Sequence, residues 1–314
     1  MNNNNIVGVG NYQYRLIENW GQIPNIGKDL KNNFIVSGVA CDSRDNVYVA
    51  VRNLPYPQTL SGAILVFNRD GKFIKSIGEN IFTTPHLLYI NSNDEIFYTD
   101  ATDHTVRKIS PSGKIQMTLG GYTLGEGKRP IDRFKTISPD GKPFNRPTKI
   151  VEHKTTGELF VSDGYGQNRV HRLKPDGEVI VSWGETGKGK SQFELPHSIN
   201  LDNRDRVFVL DRPNNRCQIF NINGDYLEEW GNIVSDNEQI LSSGEKGPND
   251  LIIDEQDVLH IVSGFGKLSL ISLNGDRLGE WTPGPSHGIW IDKHGDLYLA
   301  MLRNGEGLRK YIRI

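Results

Sequence analysis

The 314-residue chain has few of the residues that would place it in several common classes of protein. It contains only two cysteines, Cys41 and Cys217, so a disulfide-rich scaffold is excluded, and we expect both to be small buried residues rather than a disulfide pair. No apolar run approaches the roughly 18 residues that a membrane-spanning helix requires. We therefore expect no membrane partner.

Neither sign of charge dominates the chain. The 36 basic residues are balanced by 38 acidic residues, for a formal net charge of −2. Proteins that bind nucleic acid through its phosphates usually carry an excess of basic residues, so we expect no nucleic-acid partner. The first segment, MNNNNIVGVGNYQ, lacks the basic and apolar regions of a secretory signal. Together with the scarcity of cysteine, this predicts a cytoplasmic location.

Glycine, by contrast, is abundant, with 34 residues, and recurs in turns between short β-rich segments. Asp-Gly and Asn-Gly pairs between such segments are typical of β-hairpins. In this chain they are Asp70-Gly71, Asp140-Gly141, Asp176-Gly177, Asn223-Gly224 and Asn274-Gly275. A period of about 40 to 45 residues with four strands per unit indicates a β-propeller. Six units can be drawn, at 36–78, 81–120, 144–184, 193–231, 246–283 and 285–314.

The sixth unit is short, and its missing part occurs at the other end of the chain. Other units end in the segments VIVSWG, YLEEWG and RLGEW, whereas the sixth stops at Ile314 without one. Residues 14–21 read YRLIENWG, so we predict that residues 11–21 supply the outer strand of the last blade and close the ring. The prediction is a single all-β domain over residues 1–314, a six-bladed β-propeller, with residues 1–10 flexible.

Three of the eight histidines occupy the same position in alternate units. They are His86 in TTPHLLYIN, His197 in ELPHSINLD and His287 in GPSHGIWID. The first strand of a blade begins at the mouth of the channel, so imidazoles one third of a turn apart converge on its axis. Three neutral imidazoles suit zinc with a fourth position open, although iron, cobalt or manganese also accept such ligands. The alternative is that each imidazole only bonds to backbone. The equivalent positions in the other units are Ser37, Thr148 and Asn249.

Further polar residues are expected at the same mouth, because the turn between the second and third strands of each blade lies there. Tyr165, in LFVSDGYGQNRV, could act as a general base beside a dication or form an aromatic wall of the pocket. Arg52 and Arg212 occupy such turns in the first and fourth units, where a guanidinium suits a substrate carboxylate. Arg212 could instead pair with a neighbouring blade. The connections 121–143, 185–192 and 232–245 open on this side.

These segments resemble the peptidyl-α-hydroxyglycine α-amidating lyases, an NHL-type propeller family. The resemblance is carried by VSGVACDSRDNVYVAVR, TPHLLYI, FNRPTKIVEHKTTGELFVSDGYGQNRV and FELPHSINL, and it extends from about Ser37 through the last unit. It implies that zinc is bound by the three histidines and that Tyr165 is the catalytic base. It also implies that Arg52 acts in catalysis and substrate binding and that Arg212 contributes to substrate binding. A structural calcium held by the backbone carbonyls of Val39 and Leu88 is implied as well.

The chain departs from the family pattern in three respects. Gly288 follows the third histidine where the family has a calcium-binding aspartate, so calcium would depend on Asp250, one unit away. Gly166 follows Tyr165 where a cysteine is usual, and the family's disulfides are absent. The reaction implied by the resemblance splits a carbinolamide, N–CH(OH)–carboxylate, into an amide and glyoxylate. For this chain we expect a small-molecule substrate carrying a carboxylate.

Two other functions remain open at this point. A zinc-bound hydroxide would equally support a hydrolase or hydratase. Similar repeats also form non-enzymatic propellers that bind protein or RNA. The absence of carboxylates at the histidine positions argues against the lactonase type of six-bladed propeller, whose metal ligands are mostly acidic and amide side chains. The leading prediction is a metal-dependent lyase.

Overall fold

The computed structural model describes residues 6–23, 34–53, 62–78, 81–121, 143–235, 247–302 and 306–314. Every regular element in these ranges is a β-strand, and none of them contains a helix that could span a membrane. The predicted turn at Asp140-Gly141 lies outside the described residues, as does most of the connections 121–143 and 232–245.

The strands form six antiparallel sheets, one for each predicted unit, which confirms the six-bladed all-β fold. Two strands precede the first blade: β1 (Ile6–Val9) and β2 (Tyr12–Ile17). Blade 1 contains β3 (Phe34–Cys41), β4 (Val47–Asn53), β5 (Gly62–Phe67) and β6 (Phe73–Ile77). Blade 2 contains β7 (Pro85–Ile90), β8 (Ile96–Asp100), β9 (Thr105–Ile109) and β10 (Ile115–Gly120). Blade 3 contains β11 (Lys149–Glu152), β12 (Leu159–Asp163), β13 (Arg169–Leu173) and β14 (Val179–Trp183).

The second half of the chain repeats this order. A short parallel pair follows blade 3: β15 (Glu185–Thr186) and β16 (Gln192–Phe193). Blade 4 contains β17 (Pro196–Leu201), β18 (Arg206–Asp211), β19 (Arg216–Asn221) and β20 (Tyr226–Gly231). Blade 5 contains β21 (Pro248–Ile253), β22 (Val258–Ser263), β23 (Leu268–Ser272) and β24 (Arg277–Trp281). Blade 6 contains β25 (Ser286–Ile291), β26 (Leu297–Met301) and β27 (Leu308–Arg313), followed by β2 and β1.

The ring is closed by the N-terminal segment, as the sequence predicted. The innermost strands contact one another in the order β3, β7, β11, β17, β21 and β25, and β25 returns to β3. Strand β2 pairs antiparallel with β27, with Tyr14 opposite Arg313. We expected residues 1–10 to be flexible. In the structure, residues 6–9 instead form β1, which pairs with β2 as the fifth strand of the blade. Val9 packs against Gly279 of β24, where a β-carbon would overlap it.

Turn chemistry explains why the hairpins form where the sequence placed them. At the Asx-Gly turns the glycines adopt left-handed φ angles, for example +85° at Gly71 and +94° at Gly177, which residues with a side chain rarely adopt. At the inner turns the polar residue that follows the first strand accepts two backbone hydrogen bonds. Asp202 does so from the amides of Arg204 and Arg206, at 2.9 Å each. These local bonds set the strand spacing that the repeat requires.

The core consists of apolar side chains packed between adjacent blades. Cys41 lies among the residues that join blades 6 and 1, and Cys217 lies in the layer between blades 4 and 5. Both are buried and unpaired, as predicted.

Replacing Tyr14 by alanine tests the closure. Its side chain is fully buried, stacks on Trp281 with ring centroids 5.6 Å apart, and its hydroxyl accepts a hydrogen bond from Arg313. We expect Tyr14→Ala to lower the free energy of unfolding by about 3–5 kcal/mol, the usual cost of removing a large buried aromatic side chain. Urea unfolding would measure it. Gln13→Ala, at an exposed position of the same strand, should change stability by less than about 0.5 kcal/mol, and an equal loss in both variants would contradict the expectation.

Candidate metal centre

The pairing of the first strand is irregular at each of the three histidines. In β17, Pro196 pairs with Asp211 and the next pair is Ser198 with Leu210, so His197 is skipped. The pairing of β25 skips His287 in the same way. The pairing of β7 with β8 passes from Pro85 directly to Leu88, past His86. A β-bulge re-aims the side chain of its extra residue, and here a histidine occupies that position in three blades.

The three imidazoles meet at one point, although they lie up to 201 residues apart in the chain. Their ring centroids are 4.8 Å apart for His86 and His197, 4.6 Å for His86 and His287, and 5.1 Å for His197 and His287. One ring nitrogen from each lies within 4.8 Å of the other two. All three side chains are buried. The structure therefore brings together the three histidines that the sequence assigned to a zinc site.

Each imidazole is oriented by a backbone carbonyl of the following blade. Nδ1 lies 2.6 Å from the carbonyl oxygen of Thr148 for His86, of Asn249 for His197 and of Ser37 for His287. A carbonyl only accepts, so Nδ1 carries the proton and Nε2 keeps its lone pair. The sequence analysis raised backbone hydrogen bonding as an alternative to metal binding. That bonding is present, but it uses only Nδ1, so the lone pair of Nε2 stays available to a metal ion. Such an outer hydrogen bond is the usual partner of a metal-ligating histidine.

The residues between the histidines complete a closed circuit of hydrogen bonds. Ser37 and Thr148 donate from their hydroxyls to the carbonyls of Pro85 and Pro196, at 2.7 and 2.8 Å. Asn249 donates from its amide nitrogen to the carbonyl of Ser286, at 2.9 Å. Each of these acceptors immediately precedes a histidine. Polar donors at the three intervening positions therefore hold the strand segments that carry the imidazoles.

Electrostatics keep the imidazoles neutral. Burial lowers the pKa of each of the three well below the ordinary histidine value, and nearby positive charges lower it further. Arg52 acts on all three imidazoles, and Arg212 acts on His197 and His287. Neutral imidazole is the form that binds a metal ion, so the chemistry of this donor set fits zinc.

Tyr165 joins the histidines at the centre. Its hydroxyl lies 3.1 Å from Nε2 of His86 and 3.1 Å from Nε2 of His197. The hydroxyl is thus held between two of the ring nitrogens whose lone pairs are available to a metal ion. Its ring stands nearly perpendicular to both imidazoles, at 86° and 87°.

The glycines on either side of Tyr165 allow this loop to approach the neighbouring segments. A β-carbon at Gly164 would lie 2.4 Å from the carbonyl oxygen of Pro196, directly before His197. A β-carbon at Gly166 would lie 2.2 Å from the carbonyl oxygen of Asn145. The cysteine that is usual in the resembling family at the position of Gly166 would therefore not fit here.

Three arginines lie near the histidines and Tyr165, of which the sequence identified two. Arg52 donates from Nε to the carbonyl of Pro85 at 2.7 Å, and Arg212 is buried with its guanidinium carbon 5.7 Å from the Tyr165 ring centroid. The third is Arg146, whose guanidinium carbon lies 5.1 Å from the same centroid and whose pKa is lowered by burial. We missed Arg146 because it lies two residues before Thr148 and not at a strand turn. Its occurrence in FNRPTK was the available signal.

The structure also places the residues implied for calcium. Val39 and Leu88 are buried in the adjacent strands β3 and β7. At Gly288 a β-carbon would lie 3.2 Å from the Cα of Gly38, so an aspartate there would require a local shift of a few tenths of an ångström. Asp250 has protein partners at both carboxylate oxygens, including the ammonium group of Lys149 at 2.5 Å and the amide of Ile289 at 3.0 Å.

No family model matches the chain, but several curated proteins are similar to it. Peptidylglycine alpha-amidating monooxygenase of Rattus norvegicus is 30% identical over 213 residues, which are 64% of this chain and 20% of that protein. NHL repeat-containing protein 3 of Homo sapiens is 32% identical over 209 residues, 63% of this chain and 55% of that protein. The probable peptidyl-alpha-hydroxyglycine alpha-amidating lyase of Caenorhabditis elegans is 32% identical over 162 residues, 50% of this chain and 42% of that protein. The matched region is thus about a fifth to about half of each relative.

Solved structures show the same fold at low sequence identity. Virginiamycin B lyase from Staphylococcus aureus superposes with a TM-score of 0.60 at 17% identity, covering 90% of this chain and 97% of that chain. A gluconolactonase from Xanthomonas campestris superposes with a TM-score of 0.65 at 14% identity, covering 95% and 89%. At this identity the superpositions establish the fold alone. Several of the relatives in sequence are named as amidating lyases. Together with the NHL repeat-containing relative and the six blades, this confirms the resemblance predicted from the sequence.

Proposed function

We propose that this protein is a zinc-dependent lyase that cleaves the C–N bond of a small N-substituted α-hydroxyglycine, releasing an amide and glyoxylate. The observation that carries the proposal is the Tyr165 hydroxyl, 3.1 Å from Nε2 of both His86 and His197, within a trio of neutral imidazoles. His86, His197 and His287 would hold the metal through Nε2. Zinc bound there would act as a Lewis acid on the substrate hydroxyl.

The residues around the metal centre suit the remaining steps. The Tyr165 oxygen, as the phenolate, would take the proton of the substrate hydroxyl. As that proton leaves, the C–O bond becomes the aldehyde carbonyl of glyoxylate, the C–N bond breaks, and the nitrogen gains a proton to give the amide. Because the Tyr165 oxygen lies 3.1 Å from Nε2 of His86 and of His197, the phenol formed by the first transfer would be placed to return that proton to the leaving nitrogen.

The arginines favour a substrate with a negative charge. Arg52 and Arg212 place guanidinium charge close enough to lower the histidine pKa values, and Arg146 adds a third guanidinium over the Tyr165 ring. A planar guanidinium binds a carboxylate through two hydrogen bonds. We assign the substrate carboxylate to Arg52 first, with Arg212 as a second contact, which agrees with the glyoxylate half of the product.

We propose that the protein binds zinc but not calcium. The carboxylate of Asp250 is already neutralised by the buried ammonium of Lys149, and Gly288 supplies no side chain. Calcium prefers six to eight oxygen ligands with charged carboxylates among them. The carbonyls of Val39 and Leu88 would therefore lack the anionic ligand that such a site requires.

Metal content and glyoxylate release test the proposal together. We expect purified protein to contain about one zinc per chain by elemental mass spectrometry and to release glyoxylate from an N-acyl-α-hydroxyglycine. The corresponding N-acylglycine, which lacks the hydroxyl, should give none. The methyl ester, which lacks the charge for Arg52, should show a higher KM. A chain that takes up no zinc and releases no glyoxylate would contradict the proposal and favour a binding propeller. Zinc uptake without glyoxylate release, but with hydrolysis of ester substrates, would favour a hydrolase.

A further inference from the structure

Two opposite charges are buried together beside the ring of histidines. Lys149 begins β11 of blade 3, Asp250 lies in β21 of blade 5, and both residues are 3% exposed. The ammonium nitrogen of Lys149 lies 2.5 Å from Oδ1 of Asp250. The two residues are 101 positions apart in the sequence, and blade 4 lies between their blades.

The pair links four of the six blades. Lys149 also donates to the carbonyl of Leu251 at 2.8 Å and contacts the hydroxyl of Ser198 in blade 4 at 3.4 Å. That hydroxyl donates to Oδ1 of Asp250 at 2.7 Å, and Oδ2 of Asp250 accepts the amide of Ile289 in blade 6 at 3.0 Å. The network therefore spans blades 3, 4, 5 and 6, using both carboxylate oxygens.

The network adjoins the atoms that orient two imidazoles. Lys149 follows Thr148, whose carbonyl accepts from Nδ1 of His86 at 2.6 Å. Asp250 follows Asn249, whose carbonyl accepts from Nδ1 of His197 at 2.6 Å. The ion pair thus ties together the two backbone segments that carry these acceptors.

Stability alone is a weak reason for such a pair. Moving two charges out of water costs about as much as their attraction returns, and apolar residues of similar size are often equally stable. A buried ion pair with fully used hydrogen bonds instead fixes a particular geometry. Here the geometry that it fixes is the position of the imidazole acceptors.

We propose that Lys149 and Asp250 are positioning residues of the metal centre, whose ion pair holds the Thr148 and Asn249 carbonyls and so fixes the orientation of the His86 and His197 imidazoles. The inference about orientation stands on the contacts above, and its consequence for zinc rests on the proposed function.

The test uses the full chain with both charges removed, Lys149→Met with Asp250→Asn, so that neither partner is left buried and unpaired. In metal-free protein, the Nδ1–H signals of His86 and His197 would be followed in long-range ¹⁵N–¹H spectra, assigned with His86→Asn and His197→Asn. We expect the exchange of these two protons with water to become at least about tenfold faster, because the acceptors are no longer held.

Zinc affinity would be measured against a competing chelator. It should fall by about 10–100-fold, as for other residues that hydrogen-bond to metal ligands. The absorption spectrum of cobalt bound in place of zinc should also change.

The matched control is a second buried lysine–aspartate pair, remote from the histidines. Lys310 and Asp296 lie 3.3 Å apart in blade 6, with side chains 5% and 4% exposed. Lys310→Met with Asp296→Asn should lower stability without changing the imidazole signals or zinc affinity. If the first double variant does not fold, Ser198→Ala removes one hydroxyl from the same network and should accelerate the same exchange.

The outcomes separate this inference from the proposed function. Unchanged Nδ1–H exchange in the Lys149 variant, or an equal change in the Lys310 control, would overturn the inference even if the wild-type chain bound zinc and released glyoxylate. Faster exchange in the Lys149 variant alone would support it, even if the wild-type chain proved to bind no zinc, in which case only the proposed function would fail.

Discussion

Tyr165→Phe should lower kcat/KM for glyoxylate release by about 10²–10⁴-fold, the range expected when a general acid–base group is removed. The phenol oxygen is the atom that lies 3.1 Å from both Nε2 nitrogens, and phenylalanine removes only that oxygen. The ring is retained, so its contacts with Arg146 and Arg212 are kept. Zinc content should remain at the wild-type level, because the histidines are untouched.

The control for this substitution is Tyr89→Phe. Tyr89 is in β7, on the same strand as His86, and its hydroxyl donates to the carbonyl of Glu152. We expect its kcat/KM to stay within about twofold of wild type. If Tyr165→Phe also stayed within that range, Tyr165 would be an aromatic wall of the pocket, the alternative that the sequence left open.

His197→Gln should abolish stoichiometric zinc binding, with a loss of affinity well beyond the roughly 10–100-fold cost of removing an outer-shell partner. A glutamine cannot place a nitrogen lone pair where Nε2 lies, and two imidazoles alone do not complete a structural or catalytic zinc site. Glyoxylate release should fall to background for the same reason. Elemental analysis of the purified variant and a competition titration would measure the loss.

The same substitution at His260 separates metal binding from folding. His260 is as fully buried as His197, but its Nε2 lies 2.9 Å from Oδ2 of Asp254 in blade 5. His260→Gln should lower stability by about 1–3 kcal/mol through the altered buried hydrogen bond and retain full zinc content. Loss of zinc in both variants would show that unfolding, rather than ligand removal, explains the effect at His197.

The blade repeat was readable from the sequence because each element of it is local. The hairpin turns, the alternating apolar segments and the polar residue after each first strand all act over a few residues. Closure by β2 was predicted for the same reason: YRLIENWG resembles the other outer strands. The exception was β1, whose pairing with β2 and contact with Gly279 depend on a neighbouring blade.

The candidate site was predictable in its residues but not in its geometry. The repeat aligned His86, His197 and His287, and strand connectivity placed Tyr165, Arg52 and Arg212 at the same end. No local signal showed the bulges that turn the imidazoles inward. Ser37, Thr148 and Asn249 were recognised as equivalent positions, yet their role as hydrogen-bond donors became apparent only once neighbouring blades were in contact.

The sequence by itself thus determined the number of blades, the closure of the ring and the set of three histidines, because periodic local patterns specify them. Only the tertiary structure decided which nitrogen of each imidazole is available, that Arg146 faces Tyr165, and that Lys149 neutralises Asp250. These contacts join residues that are far apart in the chain, up to 250 positions for His287 and Ser37. Their partners are chosen by how the blades pack around the axis, and no spacing within a single repeat encodes that packing.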